Sequence, residues 1–390
     1  MLIHPPHQGR RPTGAVRPST AARPPTSAQD HRTARLVGPN RFERAERLSP
    51  DRLVDRLEVA LARREASLAG LAGVEPVDDR DAVLTLQRVH DLHLGPFGQV
   101  ASGANRQHHP VIADIKWRLE CAFLERLEGW DEARRWDLPD DPIEALRAVR
   151  ATDRVPWVYH WLAERASPGG VRTFLELEGG PDGGFDDLVA QCQVGITGGA
   201  KVELAHNYWD EMGRGDGASV HTELHRVMAD ALGFRAVPRA EQPLACLERA
   251  LLGSTLATNR WLQPEMVGAL GLIELQAGPR CRKVVAALER IGAGEQALAF
   301  YEEHARVDPL HGRAWVDRVV TPLAAEHPDL AWRIVRGARW RSTITAHFLA
   351  ATHSVLGLVT DSSPGPDPAG AERRRPAPMA AGVHAPGERP

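Results

Sequence analysis

Three residues near the C-terminal third of the chain have the types and spacing of a metal grip: His304, Asp308 and His311 stand at i, i+4 and i+7. At 3.6 residues per turn these positions share one stripe of a helix. Two imidazoles and a carboxylate on one stripe suit a borderline divalent metal such as iron and leave coordination positions open. A solvated polar face would show the same spacing. Pro309 adds a second alternative, because Asp308 is a sound N-cap and proline a sound first helical residue. The proline removes a backbone bond and clashes one turn back, so the helix is expected to kink or restart there.

A second group precedes it. Glu211 and His221 are separated by nine residues that include Gly213, Gly215 and Gly217. The glycines let a helix loosen after Glu211 so that His221 can return to the same centre. For His221 and His225 the competing reading is a helix start with surface histidines. A third group holds Glu176 and Glu178 at the end of one helical pattern and Asp186 and Asp187 at the start of the next. Positions two apart face different sides of a helix, so Glu176 and Glu178 cannot both point inward. Asp186 and Asp187 also suit the positive end of a helix dipole.

An upstream acid, then Glu211 and His221, then the His304, Asp308 and His311 triad together resemble the haem-oxygenase-like di-iron oxidases and oxygenases, also called iron-containing redox enzymes. The resemblance covers roughly residues 80–355. It implies an all-α, haem-oxygenase-like helical bundle lacking haem, with two Fe(II) per chain and dioxygen as co-substrate. It implies Glu178, Glu211, His221, His304, Asp308 and His311 as the metal ligands, with Glu176 or Asp187 as alternatives for the first. The implied reaction oxidises a small amino-acid-like or fatty-acid-like substrate, drawing on an electron donor, in specialised metabolism. N-oxygenation, desaturation, decarboxylation and carbon–carbon cleavage all stay open, as does assembly as a homodimer. The same scaffold without metal could serve a thiaminase-like hydrolase with Cys192 or Cys246 as nucleophile, or a helical binding protein.

The elements that must position these residues are helices. Apolar residues recur at helical spacing in runs at 112–127, 142–149, 155–166, 184–195, 200–212, 219–232, 244–252, 264–275, 281–291, 294–307, 310–324 and 328–354. Ser49 and Pro50 mark the start of an earlier helix carrying Leu53, Leu57 and Leu61. Alternating strand patterns are nearly absent, and no repeat period emerges. The segment Gly195 to Lys201 lacks the spacing, the following Ser or Thr and the preceding strand of a phosphate loop, so it reads as a glycine-rich helix connection.

Composition limits the rest. The 390 residues suffice for a large core. With 48 basic against 51 acidic residues the net charge is −3, which gives no field for nucleic acid or anionic lipid. Four cysteines without a CxxC pair disfavour a thiolate metal site or disulfide framework and fit a cytoplasmic protein. No apolar run reaches the roughly 18 to 20 residues of a membrane span. Arg10 and Arg11 are followed by prolines rather than an apolar segment, so no twin-arginine export signal is expected. Residues 1–40 hold seven prolines and six arginines against one acid. The expected organisation is therefore a disordered tail at 1–45, a helical domain at 46–360, with N-terminal helices at 46–150 and the metal-binding core at 151–355, and a second tail at 361–390.

Overall fold

The computed structural model describes residues 51–62, 67–99, 103–179, 184–235 and 237–358. Both expected tails, and Ser49 and Pro50, lie outside the described residues. Among those described, every regular element is helical. Three N-terminal helices, α1 (Leu53–Ala62), α2 (Asp79–Leu94) and α3 (Pro110–Ala133), lead into α4 (Pro142–Thr152), α5 (Trp157–Glu164) and α6 (Pro168–Gly179). Then follow α7 (Phe185–Cys192), α8 (Gly198–Glu211), α9 (His221–Leu232), α10 (Leu244–Ala257), α11 (Gln263–Arg290) and α12 (Glu295–Ala314). A π turn (Trp315–Val320), α13 (Thr321–Glu326) and α14 (Pro328–Val355) close the fold. This is the all-α architecture expected from the residue pattern, and no helix among the described residues is long and apolar enough to cross a membrane.

The helix starts follow from local chemistry. Asp141 accepts the backbone amides of Ile143 and Glu144, and Pro142 takes the first turn of α4. Asp78 caps α2, while the buried Asp81 accepts the amides of Leu53 and Val54 and so ties α1 to α2. The connection at Gly195 to Lys201 is the expected helix link: Gly195 and Gly198 both take positive φ, and α8 begins at Gly198.

Two apolar cores flank the long helix α11. Leu270, Leu272 and Leu275 join one with α1 to α4, α7, α8 and α10, whereas Cys281, Val284 and Leu288 join the other with α5, α6 and α9. Two helices run on where a break was expected. The runs 264–275 and 281–291 are one helix that passes through Pro279, and α12 passes through Pro309 without restarting. The reason is packing: the ring of Pro309 lies where a Cβ on Gly278 would stand, 2.8 Å from its Cδ and Cγ, so a proline in one helix fits a glycine in the other. The departure from α geometry comes later, in the π turn, where Trp315 is buried and donates to the carbonyl of Val267 at 3.0 Å.

Glycines set the spacing between α11 and α12. A Cβ on Gly312 would meet the Glu274 carbonyl oxygen at 2.9 Å, and one on Gly271 would meet Trp315 at 2.6 Å. Side chains beside these contacts on α11 and α12 are brought face to face.

Candidate metal centre

Helix α8 ends on Glu211, which is buried. The chain then reverses through Gly213, Arg214 and Gly215, with φ of 61°, 54° and 90°. Gly213 is required at its position, since a Cβ there would stand 2.5 Å from the backbone carbon of Ser219. That close approach delivers the start of α9, so His221 Nδ1 lies 2.7 Å from Glu211 Oε2. Helix α12 brings His304 against His221, with ring centroids 4.4 Å apart. The ligating atoms of Glu211, His221 and His304 all lie within 4.8 Å of one another.

Glu211 also belongs to a second group. Its ligating atom and those of Glu274 and His311 lie within 4.8 Å of one another. His311 Nδ1 is 3.5 Å from Glu274 Oε2 and 4.0 Å from Asp308 Oδ1. Asn207 Nδ2 donates to Glu274 Oε1 at 2.7 Å. Glu211 is thus a carboxylate shared by two candidate ligand groups, each with a histidine.

The hydrogen bonds select which imidazole nitrogens face inward. His304 Nδ1 is 2.6 Å from the carbonyl of Phe300, which can only accept, so Nδ1 carries the proton and Nε2 keeps its lone pair. His311 is turned the other way: Nε2 is 2.8 Å from Asp210 Oδ2, and Nδ1 faces Glu274 and Asp308.

Charge is badly balanced among these groups. Asp308, 2% exposed, is held well above the usual carboxylate range by burial and by the neighbouring Glu274 and Glu211. His304 is lowered to about 4 by burial and by His221. For His311 burial lowers the pKa, but Glu274 and Asp210 prevail and raise it to about 9. Nε2 of His221, Nδ1 of His311 and Oδ2 of Asp308 are buried without a hydrogen-bond partner. Such orphaned groups are costly in a folded interior. A cation between them would supply the missing partner.

Among the residues singled out by spacing, the structure brings together Glu211, His221, His304 and His311, with Asp308 beside His311. Glu178 sits apart from both groups: its carboxylate accepts from Tyr159 in a short hydrogen bond and faces the Tyr301 hydroxyl at 3.4 Å. Glu176 accepts the backbone amide of Arg235 at 3.1 Å. Asp186 and Asp187 occupy the first turn of α7. Burial raises the pKa of Asp186, with a further rise from Asp187 and an opposing pull from His221. His225 belongs to neither group and packs on Phe300 at 5.1 Å. Cys192 and Cys246 are buried, and burial pushes the Cys192 thiol to about 12, which leaves it un-ionised and a poor nucleophile.

Glu274 and Asp210 escaped the spacing argument. Glu274 did leave a trace: it is the one acid in the apolar run from Met266 to Leu275, and a carboxylate embedded in a core helix needs a partner. Residues 172–346, which include every member of both groups, match the model of a family described as iron-containing redox enzymes. No curated protein matches the chain.

Proposed function

We propose that this chain, a member of the iron-containing redox enzyme family through residues 172–346, is a non-haem di-iron oxidase or oxygenase acting on a small amino-acid-like or fatty-acid-like substrate. The observation that carries this reading is the sharing of Glu211 by two ligand groups within one buried cluster. The donor set is hard carboxylate and borderline imidazole with no thiolate, which fits ferrous iron. His221 and His304 would hold one ion with Glu211; His311 and Glu274 would hold the other with the same carboxylate, and Asp308 stands beside that half. Two ferrous ions would supply the electrons that let dioxygen react with a closed-shell substrate, and an external electron donor would restore them.

The protein's own groups set the conditions. The Phe300 carbonyl keeps the proton of His304 on the side away from Glu211. Asn207 fixes one oxygen of Glu274 and leaves the other toward His311. The burial of Glu211, Glu274 and Asp308 excludes water from the carboxylates, which strengthens their hold on a cation. Anaerobic loading with ferrous iron followed by metal analysis tests the reading. About two irons per chain are expected from the two ligand groups. A ratio that stays at zero or one under saturating iron counts against it.

A further inference from the structure

Imidazole binds a metal only through a nitrogen that carries no proton, and neutral His311 must keep its proton on one of two nitrogens. The carboxylates facing Nδ1, Glu274 at 3.5 Å and Asp308 at 4.0 Å, are acceptors that would draw the proton to that side. Proton on Nδ1 would close the nitrogen that faces the cluster. The opposite nitrogen, Nε2, meets Asp210 Oδ2 at 2.8 Å. Asp210 in turn is held through its other oxygen, Oδ1, by Arg214 Nε at 2.6 Å. Arg214 also reaches Glu303 Oε1 on α12 at 3.3 Å, beside His304. It does so from a left-handed backbone, φ 54° and ψ 32°, which a residue with a Cβ rarely adopts. A conformation of that kind persists only where its surroundings impose it.

We propose that Asp210 and Arg214 form a positioning pair that keeps Nδ1 of His311 free for the half of the centre containing Glu274. Asp210 draws the imidazole proton to Nε2, and Arg214 fixes which carboxylate oxygen does so. This rests on the di-iron reading above. It goes further by making the affinity of one half depend on two residues that are not ligands.

The pair has an unusual consequence for substitution. In Asp210→Asn the guanidinium keeps the side-chain oxygen, so the amide nitrogen turns toward Nε2 of His311. That nitrogen must then accept, and the imidazole proton moves to Nδ1. In Asp210→Ala a water can still accept from Nε2. The isosteric Asn variant should therefore bind the second iron more weakly than the smaller Ala variant. Adding Arg214→Ala to Asp210→Asn frees the amide to flip and should restore part of the affinity.

Anaerobic ferrous titration of the full chain, with Mössbauer spectra of isotopically enriched iron at each step, reads the two halves separately. For Asp210→Asn a loss of about tenfold or more is expected in one half only, the range typical for partners that orient metal-bound histidines. Asp210→Ala should lose less, and the double variant should recover. Melting curves of the metal-free variants that stay close to the parent would show that the ranking does not arise from misfolding. Equal affinities in parent and Asp210→Asn, with two irons in the parent, would overturn the positioning pair and leave the di-iron reading standing. An order in which Ala is worse than Asn would overturn it as well. A parent that takes up no iron would remove both.

Discussion

At the scale of single residues, Glu211 is the hinge of the arrangement because both ligand groups contain it, while Glu274 serves one. Glu211→Ala should abolish iron uptake in both halves, and Glu274→Ala should leave about one iron per chain, since the Glu211, His221 and His304 group stays intact. Glu178→Gln should retain about two, because the Glu178 carboxylate is engaged by Tyr159 and Tyr301 and enters neither group. Metal analysis after anaerobic loading compares the three, and loss of iron in Glu178→Gln would bring that carboxylate back as a ligand. The contrast shows what spacing can and cannot read. Glu211 and His221 are linked by a short glycine-rich reversal, and His304 and His311 by two helical turns, so local geometry was enough to pair them. Glu274 meets His311 only because α11 packs on α12, and Asp210 reaches His311 across 101 residues of chain. No local spacing encodes such contacts; only the acid within an apolar run hinted at the first.

At the scale of elements, the site depends on how closely α11 and α12 approach. Gly312 has backbone atoms of Glu274 and Leu275 at 2.9 to 3.1 Å from where a Cβ would stand. Backbone cannot swing aside as a flexible side chain can, so Gly312→Ala should push the helices apart and cost about 1–3 kcal/mol, the range for overpacking. A lower melting temperature together with weakened iron binding is expected from calorimetry and titration; an unchanged melting temperature would mean that the interface yields freely. The same element carries a second prediction. Asp308 and His311 are buried on α12 with unpartnered atoms, and Pro309 between them lacks an amide to donate, so the metal-free helix should open locally more easily than its neighbours. Iron bound to the closed form favours closure by mass action. Hydrogen exchange over residues 298–315 should slow on anaerobic iron addition, and equal exchange with and without iron would detach this helix from the metal site. Helices were legible from periodicity because their apolar faces are one-sided; the continuity of α11 and α12 was not. Proline signals a break locally, and only the glycine facing it across the interface reveals why the helix continues.

At the scale of the whole molecule, the metal-free fold should carry a pH dependence written by its unsatisfied centre. His304 has its folded pKa lowered to about 4 from an ordinary 6.5, by burial and by His221. Between those values the unfolded chain takes up the proton and the folded one does not, so stability falls as pH drops from 6.5 toward 4. His311 works in the other direction. Its folded pKa is raised to about 9, so its contribution is complete below 6.5 and is lost as pH climbs through 9. Asp308, held above the usual carboxylate range by burial and the adjoining carboxylates, also favours the proton-bound fold, so its contribution is lost progressively as pH rises above the ordinary carboxylate range. The two histidines together therefore contribute most stability to the metal-free fold near pH 6.5. Iron changes the balance, because a bound ion needs the lone pair that the His311 proton occupies. Below about pH 9 that proton must leave for the metal to bind, so the competition strengthens with each unit of acidity and fades above that pH. The gap in melting temperature between iron-loaded and metal-free protein, measured under nitrogen at a series of pH values, should widen from 6.5 to 9. A gap that stays constant over that window would show that His311 gives up no proton to the metal, and so that it does not ligate.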